Sequence, residues 1–417
     1  MLVGIILSTS GFSQVDYRSP YSRYGVGDLT QTNHPVQMSM GGLSVTLRDP
    51  NLINSQNAAS YTDFDTLSFV FDGGVSEKLS TWESLEASER SEYSSLGYLQ
   101  LGFPITSRLK TSIGLKPYSN VGYSIRYNEQ LASQDTTTHI FEGDGGLNDF
   151  YIGMGFEITK GLSLGVNASY TWGTLDLRKY TTFPKSNFYW DTRLSNKREI
   201  SDIKFDYGLQ YEQPLKNQWS LITGFTYSHV TNLSAKQNSL TTMLIRSDDG
   251  SERVLDTVKY TSGQEGSITL PSSYGAGIMF EKENRYRFGI DYRLQQWDEF
   301  ESFGSATDSL KNSSYIAFGA EIRPKHNTLS SYLKKIKYRF GAHYSNTYLQ
   351  IQDNQLTELG ISFGVGLPIK NSGSSINFAV EIGRRGTTDN NLLKENYYKF
   401  TLGLAIFERW FLQRKYQ

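Results

Sequence analysis

The chain has 417 residues, with 41 Lys+Arg against 42 Asp+Glu and a formal net charge of −1. That balance argues against a nucleic-acid partner, which calls for a basic patch or excess. The lack of cysteine excludes a disulfide framework, a thiolate metal site and a lipid-anchored cysteine. Mean hydropathy is −0.45, and no stretch approaches the roughly 18 apolar residues of a membrane helix. A membrane β-barrel would look the same, because only half of each of its strands is apolar.

The chain opens "MLVGIILSTSGFSQ". Leu2–Leu7 is an apolar run, and Gly11-Phe12-Ser13 places small residues before a cut ahead of Gln14. Residues 1–13 therefore read as a secretory signal peptide without its positive n-region; the alternative is a buried N-terminal strand. Residues 14–65 are polar, with turn dipeptides at Asn33-His34-Pro35 and Asp49-Pro50. They are expected to form a lumen plug or a disordered tail ahead of the strands.

From residue 66 onward, alternation and turn signals predict strands. The spans are 66–76, 92–103, 108–127, 147–159, 162–177, 199–213, 218–231, 267–280, 285–297, 312–323, 335–346, 356–368, 374–385 and 396–408. Fourteen antiparallel strands of this length suit tilted membrane crossings of roughly 9–11 residues. Connections alternate between short turns, such as Lys160-Gly161, and long loops, such as 128–146 and 232–266; 324–334 breaks the alternation. Short turns on one rim and long loops on the other mark an outer-membrane barrel. The expected fold is thus an all-β transmembrane barrel over 66–417, ending in a short basic tail. It is placed in the outer membrane of a Gram-negative cell with both termini periplasmic. In loop 77–91, Ser80-Thr81-Trp82-Glu83 spells a capping box and predicts a short helix.

The hairpin Leu147–Gly173 shows what each face touches. Phe150, Ile152, Met154, Phe156 and Ile158 lie on one side, with Gly153, Gly155 and Glu157 on the other. Leu359, Ile361, Phe363 and Val365 oppose Gly360, Ser362, Gly364 and Gly366, and Leu402 opposes Thr401 and Gly403. The apolar face is expected to meet lipid and the Gly/Ser/Asn face the lumen. Thr401 should then tolerate arginine better than Ile361 or Leu402.

By the same alternation the lumen collects Glu157, Arg287, Asp291, Arg293, Glu321, Arg323, Lys337, Arg339, His343 and Glu381, and the plug adds Arg23, Asp28, Arg48 and Asp49. Buried charges need partners. Two readings stand: an ion-pair lattice holding plug to wall, or an anchor for an anionic head group such as a fatty-acid carboxylate. The five histidines fall in no catalytic motif, so no enzyme and no cofactor are expected. "EGDGGLND" (Glu142–Asp149) and "RSDDGSE" (Arg246–Glu252) have the oxygens for Ca²⁺ but also read as acidic surface turns; no metal site is assigned.

"MSMGGLSVTLRDPNLINSQNAAS" (Met38–Ser60) resembles the hatch of FadL/OmpP1/TodX-type outer-membrane transport proteins, with paired glycines Gly41-Gly42, Arg48 beside the acid Asp49, and Asn57-Ala58-Ala59 where that family has Asn-Pro-Ala. "GLKPYSNVGY" (Gly114–Tyr123) is similar to the family's kinked third strand, and "SPYSRYGVGDL" with the "ERWFLQRKYQ" ending is similar to Bacteroidota members. The resemblance implies a fourteen-strand barrel filled by a hatch. It also implies passive uptake of hydrophobic, long-chain-fatty-acid-like molecules, with sideways release at the third strand near Lys116, Pro117, Tyr118 and Asn120. A proline in that strand donates no ladder hydrogen bond, so it marks either a lateral gate or a bulge. The resemblance equally admits a non-transport subunit of a protein-secretion or outer-membrane-assembly machine. Expected partners are outer-membrane lipid and lipopolysaccharide, with a hydrophobic ligand or an envelope protein complex according to the reading.

Overall fold

The computed structural model describes residues 19–30, 34–130, 136–183, 189–247, 250–282, 285–305, 310–324, 332–370 and 372–409. The expected signal peptide and the basic tail beyond residue 409 lie outside these. Two short elements, β1 (Asp28–Leu29) and the one-turn α1 (Pro35–Met38), precede the wall. There follow β2 (Ser68–Glu83), β3 (Ser88–Pro104), β4 (Leu109–Gln130), β5 (Thr136–Thr159), β6 (Leu162–Thr182), β7 (Asp191–Pro214), β8 (Trp219–Ser228), β9 (Thr231–Arg246) and β10 (Glu252–Leu270). The rest are β11 (Ser273–Lys282), β12 (Tyr286–Gln295), β13 (Glu301–Ser302), β14 (Ser313–Ile322), β15 (Lys337–Ile351), β16 (Asn354–Pro368), β17 (Ser375–Gly386) and β18 (Lys394–Arg409).

Sequential neighbours pair antiparallel, and β18 pairs with β2 from Lys394↔Glu83 to Arg409↔Ser68, which shuts the ring. β8 pairs directly with β11 and β12 with β14, so β9, β10 and β13 stand outside the ring. Fourteen strands close it, as the alternation predicts.

Three local expectations fail. The predicted strand 267–280 is two elements: residues 267–270 finish β10, Pro271 has no N–H to continue a ladder, and the wall strand starts at Ser273. The capping box does not cap a helix, because Ser80–Glu83 lies in β2. There Ser80 donates to Glu395 at 2.6 Å and Trp82 is buried in an apolar cluster, contacts that outweigh a local cap. The loops predicted at 77–91, 128–146, 178–198 and 232–266 are largely strand. The rim asymmetry survives as strand overhang rather than as loop length.

The two faces behave as predicted. Phe150, Ile152, Met154 and Phe156 are 43–47% exposed and point outward. The lumen face is covered by residues 34–64, most of them buried. A β-carbon on Gly165 would strike the Ala58–Ala59 backbone, one on Gly224 the Val45 carbonyl and one on Gly319 the Met40 carbonyl. The glycine face is therefore the floor on which the plug backbone lies. Thr401 corrects the expectation of tolerance: it is 1% exposed and donates to Met38 Sδ at 3.3 Å, so arginine there would collide with the plug.

Candidate functional site

The predicted charges meet the plug in separate groups. The largest sits near the short-turn rim, where β12, β14 and β15 run side by side. Glu321 receives Arg339 at 2.6 Å, Arg323 at 2.7 Å and Arg287 at 3.7 Å. Asp49 of the plug receives Arg287 and Arg323 at 3.0 Å and Lys337 at 3.6 Å. Glu281, absent from the predicted set, completes the lattice at 2.9 Å from Arg287. Burial alone would raise the Asp49 pKa, but Lys337, Arg287 and Arg323 overcome it and hold the carboxyl well below its usual 3.8. Removing one member of such a buried set costs about 3–5 kcal/mol because its partners are left uncompensated.

Asp291 stands apart from the ion pairs. Its Oδ2 accepts the backbone N–H groups of Ser44 and Val45, both at 2.7 Å, and its Oδ1 accepts the Thr46 hydroxyl at 3.2 Å. This wall carboxylate holds plug backbone. Arg293 donates to Gln56 at 3.1 Å and covers the Tyr315 ring at 4.2 Å. His343 stacks on the same ring at 5.0 Å, and its Nδ1 lies 4.0 Å from Glu381. Arg48 turns away from Asp49 and pairs with Asp63 at 3.0 Å.

The plug conformation explains its motif. Gly41 and Gly42 have φ of 68° and 84°, a region that suits glycine, and a β-carbon on Gly41 would lie 2.5 Å from the Ala342 carbonyl oxygen. The missing proline after Asn57 leaves no defect. Asn57 caps the 3₁₀ turn Ala58–Asp63 by accepting Ala59 N–H, and its amide donates to Val45 O at 2.7 Å. Asn54 is a hub that sequence reading missed. It donates to Ser44 O at 2.6 Å and Leu47 O at 2.8 Å and accepts Gln37 at 2.7 Å.

A cavity of about 400 Å³ remains between plug and wall, lined by Lys116, Pro117, Tyr118, Asn120, Lys204 and Glu358 among others. Lys204 pairs with Asp149 at 2.8 Å and lies 3.9 Å from the Tyr118 ring centre. The cavity reaches the place singled out by Pro117. β3 and β4 pair only from Pro104↔Lys110 to Leu99↔Leu115, and the β4–β5 ladder slips between Pro117 and Ser119. Beyond the break the plug takes over: Leu29 pairs with Ser119 and Asp28 with Asn120. Asn120 also accepts Tyr93 OH from β3 at 3.1 Å and donates to Thr30 at 3.3 Å. Pro117 thus marks a real break in the wall, stitched across by the plug.

The rim opposite the lattice is packed with an apolar cluster. Tyr21 and Val26 of the plug pack there with Trp82, Tyr123, Leu175, Ile200, Trp297, Phe300, Leu349 and Leu392, drawn from most of the circumference. Arg385 ties this end down through Asp28 at 3.0 Å and Glu395 at 3.0 Å.

A closed fourteen-strand antiparallel wall, with an exposed apolar belt outside and N-terminal residues packed against its inner face, defines an all-β barrel with a filled lumen. Among solved structures the fold is similar to the CymD monoaromatic hydrocarbon channel (15% identity, TM-score 0.57, covering 91% of this chain and 98% of that one). It is also similar to the toluene transporter TbuX of Ralstonia pickettii (13%, 0.58, 91% and 99%) and the toluene transporter TodX of Pseudomonas putida (15%, 0.56, 96% and 100%). A family model described as BamG matches residues 1–417, and the chain belongs to the BamG family. No curated protein sequence matches it.

Proposed function

We propose that the chain is a non-transport accessory subunit of an envelope machine that secretes proteins or assembles them into the outer membrane. Short turns would face the periplasm and overhanging strands the outside. The observation that carries this reading is a lumen occupied near both ends, by the lattice-held plug at one and the apolar cluster at the other. The lattice arginines already face carboxylates, which leaves the head-group-anchor reading little support. The space between is lined in part by charged side chains such as Lys116, Lys204 and Glu358, which a passing hydrocarbon would leave without solvation. Affinity isolation from native membranes tests it. A stable complex with secretion or assembly proteins is expected, whereas a lone chain carrying a lipid-like ligand would overturn it.

A second reading is passive uptake of hydrophobic molecules, long-chain fatty acids among them. The break beside Pro117, which reaches the cavity, favours it, as does a fold shared with hydrocarbon and toluene channels. On that reading Pro117→Val would slow uptake without unfolding the barrel. Unchanged uptake of hydrophobic compounds in a strain dependent on this protein would remove it.

A further inference from the structure

Above the ring the wall stays open. β9 pairs with the upper part of β7 (Asp191–Ile200), and β10 pairs with β9 along its whole length. On its other side β10 meets only β13, at Ile268 and Thr269, among the described residues. From Glu252 to Gly266 no strand among the described residues pairs with that edge, a run of roughly 45 Å at strand rise. It presents a row of backbone donors and acceptors without strand partners.

Side chains on the bare strand are just as open. Val254, Leu255, Val258 and Tyr260 are 51%, 39%, 58% and 63% exposed. Cross-strand pairing sorts the two faces. Val254, Thr257 and Tyr260 sit opposite Leu244, Thr242 and Leu240, while Arg253, Asp256 and Lys259 sit opposite Ile245, Met243 and Thr241. The first face continues the apolar cluster of Ile140, Tyr180 and Leu244, which ends uncovered at Val254. The second carries mixed charge.

Lipid cannot complement a bare backbone row, and a small ion or sugar cannot match its spacing; an extended polypeptide does both. Antiparallel pairing with a second copy is excluded by symmetry. Antiparallel self-pairing needs a two-fold axis perpendicular to the sheet, which lies in the membrane plane and would invert one copy. We propose that the edge Glu252–Gly266 of β10 is a docking strand for an extended segment of a different polypeptide. Its apolar residues would alternate onto Val254 and Tyr260, with charges complementary to Asp256 and Lys259 on the other face. The ladder shifts after Val254, Thr257 and Thr261 twist the edge and discourage indiscriminate pairing.

This inference rests on the accessory-subunit reading, and one experiment separates their failures. Hydrogen exchange of residues 252–266 is compared between the complex isolated from native membranes and the purified chain. About tenfold or slower exchange in the complex is expected. Val258 lies at a ladder shift, outside the β9 register pairs, so Val258→Pro removes a backbone N–H and fixes φ in the docking strand while leaving every register pair with its own residues. It should abolish co-isolation while the barrel keeps its heat-modifiable gel migration. Paired Val254→Lys and Tyr260→Lys substitutions give the same readout without a backbone change. Equal exchange in the two samples, undiminished co-isolation of the variants, or protection traced to a second copy would overturn the docking edge and leave the accessory reading standing. Absence of any complex would overturn both.

Discussion

Asp291 offers the sharpest test of how the plug is held. Its side chain is fully buried and accepts two plug N–H groups at 2.7 Å. Asp291→Ala leaves both donors buried without an acceptor, at about 1–3 kcal/mol each, or about 4 kcal/mol together. Asp291→Asn keeps one carbonyl oxygen for both donors and loses only the charge assistance, about 1 kcal/mol per bond, or about 2 kcal/mol. With about 1.4 kcal/mol per tenfold, amide exchange at Ser44–Leu47 should rise roughly thirtyfold in the Asn variant and on the order of a thousandfold in the Ala variant. The measurement is hydrogen exchange on the folded barrel in detergent, with wall amides of β16 and β17 as the unchanged reference. Two variants exchanging alike, or no change at 44–47, would refute the claim that this carboxylate fastens plug backbone.

Ile361 is 48% exposed on the outer face, so Ile361→Arg should cost about 2–4 kcal/mol if it lies at mid-membrane, read as a lowered urea midpoint in lipid vesicles. Thr401→Arg should be at least as damaging and should release the plug to protease. Gly341→Val should do the same, because a β-carbon there would overlap Gly41 N and Met40 C; intact plug protection would refute the glycine-floor reading. For Asp49 the folded pKa lies below its usual 3.8, so its stabilising contribution is complete above that value and is lost only as pH falls through the lower folded one. Plug protection should therefore hold from pH 7 down to about pH 5, and fade progressively once pH falls below 3.8, in an acid titration of exchange at residues 47–52.

Much of this was legible because period-two alternation is enforced by the pleat. Phe150 and Ile361 had to face outward once Gly153 and Ser362 faced in, and the same parity brought Arg287, Glu321, Arg323 and Arg339 to one side. Pro117 announced the break through a missing N–H. β10 was not legible, since a strand bathed in solvent on both faces has no apolar period to show. Asn54 was missed because its partners are backbone carbonyls, which no spacing of residue types encodes. The false helix at Ser80–Glu83 came from a local motif that cross-strand contacts with β18 override.

The plug also ties distant parts of the chain to one another. It precedes in the chain the ring that surrounds it, and the ring's seam joins its first strand to its last. Ser44 and Asp291 lie 247 residues apart, and Gly41 and the Ser362 hydroxyl that accepts its N–H lie 321 apart. A segment bonded to the inside of so many strands is a hub as well as a filling: it joins wall strands that do not touch one another, as spokes hold a rim.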